Sequence, residues 1–169
     1  IKGLALSCII SDTLEFRSPT TTRRDREVAE RLAKDLKIDV SDYASKLFRA
    51  KSDVSDFSDA QLLRMDSKKY PIADLMFRVS VLETTEPDMI FRRKSSLIEA
   101  METVCAEDSV DHVLFFVVDI LREESTLFVP NKSVKKVAEK SFGVNVSDNS
   151  VLLPGVVSRK KQIIPNLKI

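Results

Sequence analysis

Apolar and polar positions follow two rhythms along this chain, and the change between them divides it. Residues Leu4 to Ile10 are almost continuously apolar and run into the polar triplet Ser11-Asp12-Thr13. A buried helix and a buried strand both fit so short a run, because periodicity does not separate them. A turn is expected at Ser18-Pro19-Thr20-Thr21-Thr22, followed by a helix starting at Thr22 and Asp25, a pair spaced as in a capping box. Val28, Ala29, Leu32, Ala33 and Leu36 share one face of that helix. A second short helix is predicted from Ser41, with Tyr43, Ala44, Leu47 and Phe48 facing inward. There the stripe stops. Lys51 to Ser58 is rich in Ser and Asp and reads as a linker between domains. Residues Leu4 to Phe48 carry no sheet of their own, so they are expected to pack poorly or to pair with another chain.

Past Ser58 the punctuation is that of an α/β domain. Ser58 can cap a short helix through Leu62, Leu63 and Met65, and Asp66-Ser67-Lys68-Lys69-Tyr70 then leads into a strand. In that strand Leu75, Phe77, Val79 and Val81 alternate with other residues. Pro87 suits the first turn of one long amphipathic helix carrying Ile90, Leu97, Ile98, Met101 and Cys105. Val113 to Val118 reads as a strand buried on both faces. Thr126 to Val129 is its predicted antiparallel neighbour, since only a short polar loop intervenes. Asn131 caps a helix with Val134, Val137, Ala138 and Phe142, which Gly143 ends. Pro154-Gly155 turns the chain into Val156 to Gln162, taken as an extended segment.

Composition narrows the function. The 169 residues are 43% apolar and 31% charged, the balance of a soluble globular chain that buries a core without disulfides. A net charge of +1 gives no global field toward nucleic acid or membrane, so any anion specificity must be local. The apolar run around Val113 to Val118 is far too short to span a bilayer. Cys8 and Cys105 lie in apolar stretches and are expected as buried thiols of a cytoplasmic protein; neither has a partner at metal-ligand spacing. The chain starts without Met and without a signal-cleavage pattern, and reads as if cut from a longer protein. His112 is the only histidine, expected to be structural, which removes a Ser-His-Asp triad. Three glycines leave no Gly-rich phosphate loop.

What chemistry remains is concentrated in Ser158-Arg159-Lys160-Lys161-Gln162, framed by Val156-Val157 and Ile163-Ile164. Three adjacent cations held partly desolvated make sense against a polyanion, with Arg offering a planar fork and Lys a point charge. A solvated basic strand end explains the same spacing. In an extended segment Arg159 and Lys161 would face one way and Lys160 the other. Asp12, at the end of a buried element, suits a metal ligand and equally a cap for the next turn. Lys68-Lys69, on spacing alone, is a solvated loop pair.

Two segments together resemble one family. Cys8-Ile9-Ile10-Ser11-Asp12-Thr13-Leu14 with Arg17-Ser18-Pro19-Thr20-Thr21-Thr22 is similar to the end of the Asp-His-His (DHH) catalytic domain of family II, manganese-dependent inorganic pyrophosphatases. Asp148-Asn149-Ser150 through Leu153-Pro154-Gly155 to Gln162 resembles that family's C-terminal signature, and the Ser-Arg-Lys-Lys-Gln run separates it from exopolyphosphatase-like relatives. The resemblance implies an α/β fold: residues 1–50 as the tail of the DHH domain, 51–58 as linker, and 59–169 as a DHH-associated substrate-binding domain with a mixed sheet flanked by helices. It implies hydrolysis of pyrophosphate to two orthophosphates at a domain cleft holding two Mn2+ (or Co2+) ions, with Mg2+ arriving with the substrate. Asp12 would be a manganese ligand; Lys68, Arg159 and Lys160 would grip the substrate. The family's other metal ligands have no counterpart here, and Glu15 stands where relatives tend to be apolar. The chain alone is therefore expected to be inactive, its partners being pyrophosphate, a preceding DHH domain and a second copy in a homodimer, with no nucleic acid or membrane. A non-catalytic phosphate-binding or interaction module, or an exopolyphosphatase-like phosphohydrolase, is the alternative.

Overall fold

In a computed structural model, residues 1–18 and 21–169 are described, and they form two compact units, Ile1–Asp53 and Val54–Ile169. Pro19 and Thr20, part of the expected turn, lie outside the described residues.

The first unit is helical. The Leu4 to Ile10 run is a helix, α1 (Lys2–Thr13), which continues through the polar triplet, so Asp12 is on the helix rather than beyond it. Helix α2 (Arg23–Leu36) begins with the reciprocal Thr22 and Asp25 capping box, and Asp39 caps α3 (Val40–Ser52) through the Asp42 amide. Leu6, Ile10, Ala29, Ala33, Ala44 and Phe48 are buried together, with Leu32, Leu36, Tyr43 and Leu47 around them. Poor packing was the expectation for this segment, and it is overturned. The small Ala29, Ala33 and Ala44 let the three helices approach closely enough to bury a core of their own. Cys8 is exposed on α1, contrary to the expected buried thiol.

The polar stretch from Lys51 to Ser58 is not a free spacer throughout. Lys51 and Ser52 close α3, whereas Val54 is buried in the second unit and the Val54 and Phe57 carbonyls accept from Arg93.

The second unit is built on one five-stranded mixed sheet. Helix α4 (Asp59–Arg64), opened by a Ser58 and Gln61 capping box, precedes β1 (Ser67–Ile72) and β2 (Leu75–Thr84). Then come α5 (Pro87–Phe91), α6 (Lys94–Asp108), β3 (His112–Asp119), β4 (Glu124–Phe128), α7 (Lys132–Phe142) and β5 (Ser150–Pro154). The strand order is β1-β2-β3-β4-β5; only β2 and β3 run parallel, joined by the helical crossover such a pair requires. The long helix expected from Pro87 is broken at Arg92-Arg93, where Arg93 turns away to pair with Asp59 at 2.7 Å.

Alternation sorts the core to two faces. Val79, Val81, Leu114, Phe116 and Val118 pack on one side with Val134, Val137 and Ala138 of α7 and with Ile163. Leu82, Val113, Phe115, Val117 and Phe128 pack on the other with Leu62 and Leu63 of α4 and Leu97, Met101 and Val104 of α6. Every residue from Val113 to Asp119 is buried, as a central strand covered on both faces demands. His112 is half-buried at the start of β3, its ring 5.4 Å from that of Phe77, in a packing role.

Candidate functional site

Lys68 and Lys69 are not a loop pair. Both lie in β1, where consecutive side chains point to opposite faces of the sheet. Lys68 pairs with Val79 and so belongs to the face that α7 covers. Lys69 belongs to the other face and donates to the backbone oxygen of Asp108 at the end of α6. There Asp108 also pairs with Arg64 at 3.0 Å and Arg78 at 2.8 Å, and Arg78 donates to the Ser67 hydroxyl. Burial alone would raise the Asp108 carboxyl, but the Arg64 hydrogen bond and the charges of Arg78, Arg64 and Lys69 outweigh it and hold the group below the usual carboxylate range. Both lysines are exposed, but Lys69 is tied to the end of α6 whereas no ion pair engages Lys68 among the described residues.

The C-terminal cations are not extended, and the expected alternation of Arg159, Lys160 and Lys161 is corrected. Arg159–Ile163 is a single π-helical turn, closed by the Ile163 amide on the Ser158 carbonyl at 3.0 Å. Local hydrogen bonds explain it. The Ser158 hydroxyl accepts from the Lys161 amide, and Gln162 Oε1 accepts from the Val157 and Ser158 amides at 3.0 and 2.9 Å. Gln162 Nε2 donates to the Gly155 carbonyl at 2.6 Å, and Gly155 itself needs the left-handed φ of +74°. Ile163 at the end of the turn is fully buried and anchors it to the sheet. The Gln162 amide therefore makes three of the side-chain hydrogen bonds that hold the turn, beside the Ser158 cap and the Ile163 anchor. Gln162→Ala is expected to leave the sheet intact but loosen residues 155–159, read as faster amide hydrogen exchange at Val157 and Ser158 than in the unaltered protein.

Arg159 reaches across 93 residues of sequence to Asp66. Nη1 donates to the Asp66 carbonyl at 2.6 Å and Nη2 lies 2.8 Å from the Asp66 carboxylate. The Asp66 carbonyl also accepts the Val81 amide, which carries the β1–β2 ladder one residue beyond Ser67. Asp66 and Lys68 are consequently on the same face, two positions apart. Arg159 and Lys68 are brought to one edge of the sheet; Lys160 and Lys161 are both exposed on the turn, and among the described residues no ion pair engages Lys68, Lys160 or Lys161. Sequence reasoning missed Asp66 and assigned Gln162 no task. The spacing of Asp66 from Lys68 was the available signal for the first.

Asp12 lies in the first unit, exposed in the last turn of α1. That helix stops at Leu14, Glu15 and Phe16, whose φ values of 49°, 53° and 66° are all left-handed, an arrangement non-glycine residues adopt at a cost. Arg26 stabilises the stop, donating to the Phe16 carbonyl at 2.9 Å with its guanidinium 4.9 Å from the Phe16 ring centre. Glu15, the oddity of this segment, pairs with Arg17 at 2.8 Å. Among the described residues no group of three or more His, Cys, Asp or Glu side chains could hold a metal ion. A lone carboxylate does not fit a dinuclear manganese site, which needs several such donors.

A mixed five-stranded sheet with helices on both faces, and Arg159 and Lys68 at one edge, defines the class, an α/β domain. The chain belongs to the DHHA2 domain family, which residues 45–169 match. Over 98% of its length it is 42% identical to a Deinococcus radiodurans protein named "Probable manganese-dependent inorganic pyrophosphatase". Over 99% it is 37% identical to a Staphylococcus aureus protein of the same name. A solved Methanococcus jannaschii chain named a "putative family II inorganic pyrophosphatase" superposes over 98% of this chain with a TM-score of 0.71 and 34% identity. The chain spans about half the length of these relatives, 54%, 54% and 53% respectively. No helix among the described residues is long and apolar enough to cross a membrane.

Proposed function

We propose that this chain is the substrate-gripping part of a manganese-dependent inorganic pyrophosphatase, a hydrolase that converts pyrophosphate to two orthophosphates. The observation that carries the reading is the Arg159 contact with Asp66, which joins the cation turn to the strand bearing Lys68. Nothing local requires residues so far apart to meet, whereas a diphosphate needs several cations on one surface. The names of relatives matched over nearly the whole chain support the same substrate. In this reading residues 1–50 end a DHH domain, 51–58 connect, and 59–169 bind substrate in a cytoplasmic enzyme. Arg159 presents a fork to phosphoryl oxygens, while Lys68 and Lys160 add point charges. Together they offset the negative charge that the transferred phosphoryl and the leaving phosphate carry.

Manganese enters through the names of the relatives. Asp12 would supply one ligand, and the remaining ligands would come from residues outside this chain. The test is an orthophosphate-release assay on the 169-residue chain and on the whole protein, with and without Mn2+. The expected result is manganese-dependent turnover in the whole protein alone, with pyrophosphate binding by both. A whole protein that binds pyrophosphate but releases no orthophosphate would favour a non-catalytic phosphate-binding module.

A further inference from the structure

In the grip proposed above the Asp66 contact serves only to place Arg159 beside Lys68 and Asp66 itself has no role, yet Asp66 contacts Arg159 in two ways. Its carboxylate lies 2.8 Å from Nη2 and its backbone carbonyl 2.6 Å from Nη1. The carbonyl holds Nη1 by a hydrogen bond and the carboxylate holds Nη2 by an ion pair, so both nitrogens at the tip of the guanidinium are restrained by one residue. The carbonyl is itself held by the Val81 amide at 3.0 Å, so the acceptor is part of the sheet. The Arg159 side chain is 17% exposed and that of Asp66 63% exposed, which sets the guanidinium inside and the carboxylate at the rim. One guanidinium donor is engaged in a hydrogen bond, at Nη1, and the carboxylate adds an ion pair at Nη2, so the fork is not saturated.

We propose that Asp66 is a positioning residue for Arg159, holding the guanidinium at the start of β1 on the face that carries Lys68. The proposal rests on the reading of these cations as a pyrophosphate grip. A fork ordered before the ligand arrives loses less side-chain freedom on binding. Taken by its charge alone, an acidic side chain beside a phosphate site opposes binding, an effect that exposure and salt weaken. Positioning and repulsion thus have opposite signs, and removal of Asp66 separates them.

The experiment is a titration of the 169-residue chain with inorganic pyrophosphate, followed by NMR shifts. It compares the unaltered chain with Asp66→Ala, Asp66→Asn, Arg159→Ala and the Asp66→Ala, Arg159→Ala double variant. Asp66→Ala is expected to weaken binding about tenfold, as loss of one charge-assisted contact can. Asp66→Asn, which keeps an acceptor oxygen without the charge, is expected to weaken it about threefold. In the Arg159→Ala background Asp66→Ala should add nothing, because residues that act through one contact are not additive. Unchanged or tighter binding in either Asp66 variant overturns the proposal, and the Asn variant decides the sign even if the Ala variant fails to fold. An undiminished Asp66→Ala effect in the Arg159→Ala background overturns it too. Should Arg159→Ala by itself leave the affinity unchanged, the pyrophosphate reading of the cations fails and the role of Asp66 falls with it.

Discussion

In the whole protein, Arg159→Ala is expected to lower kcat/KM for pyrophosphate by about 100-fold, comparable to removing one fixed donor from an oxyanion site. Arg159 is the one cation of the cluster whose head group is already ordered, by Asp66, and whose side chain is largely shielded from water. Its fork is therefore aligned before the substrate arrives, and its charge acts in a medium less screened than bulk solvent. Lys160→Ala should cost about tenfold, since an exposed ammonium must be ordered on binding. Lys161→Ala should cost no more than about threefold. Along a helical turn Lys160 is displaced from Arg159 by roughly a quarter of a turn and Lys161 by roughly half, so Lys161 points away from the fork. Steady-state kinetics of the three variants, with thermal melts matching the unaltered protein, make the comparison. Equal losses for Lys161→Ala and Arg159→Ala would break this division of labour.

The second large effect is on stability. Asp108→Ala should destabilise the second unit by about 2–3 kcal/mol, because it leaves the mostly covered Arg78 without its carboxylate partner and takes from Arg64 one of its two, Glu107 remaining. A carboxylate at the end of α6 is otherwise unfavourable beside the helix's negative pole, and the surrounding cations, Arg64 and Arg78 first, offset that. The pH dependence follows from the direction of the shift. The folded Asp108 carboxyl titrates below the ordinary value, near 3.9 for an unfolded chain. Its contribution is therefore complete above about pH 4–5 and is lost as the pH falls toward the lower, folded value. Urea denaturation at pH 7 and again near pH 3 should show the gap between Asp108→Ala and the unaltered protein narrowing in acid. A gap that stays constant or widens would mean that the ion pairs contribute nothing.

The Asp108 cluster also shows where reading the chain stops. Lys68 and Lys69 are chemically equivalent neighbours, and only the register Lys68 with Val79 and Lys69 with Arg78 sends one to each face. Resemblance pointed to Lys68; no property of the dipeptide did. The cation run gives the same lesson in reverse. Its residues were evident, but its extended form was not what folded, because Gln162 and Ser158 offer the backbone local partners that an edge strand would have left to water.

What the sequence by itself determined is what depends on a few neighbouring residues. The caps at Thr22, Ser58 and Asn131 set helix starts through bonds spanning three residues, and the unbroken apolar run from Val113 to Val118 required a strand covered on both sides. The family resemblance was likewise legible, since it rests on short contiguous motifs. Only the tertiary structure decided that Ala29, Ala33 and Ala44 close a separate helical core, that Lys68 shares a face with Asp66, and that Asp66 holds Arg159. Each of these depends on which distant segments lie side by side. That is settled by the burial of whole faces summed over the domain, a quantity no window of neighbouring residues contains.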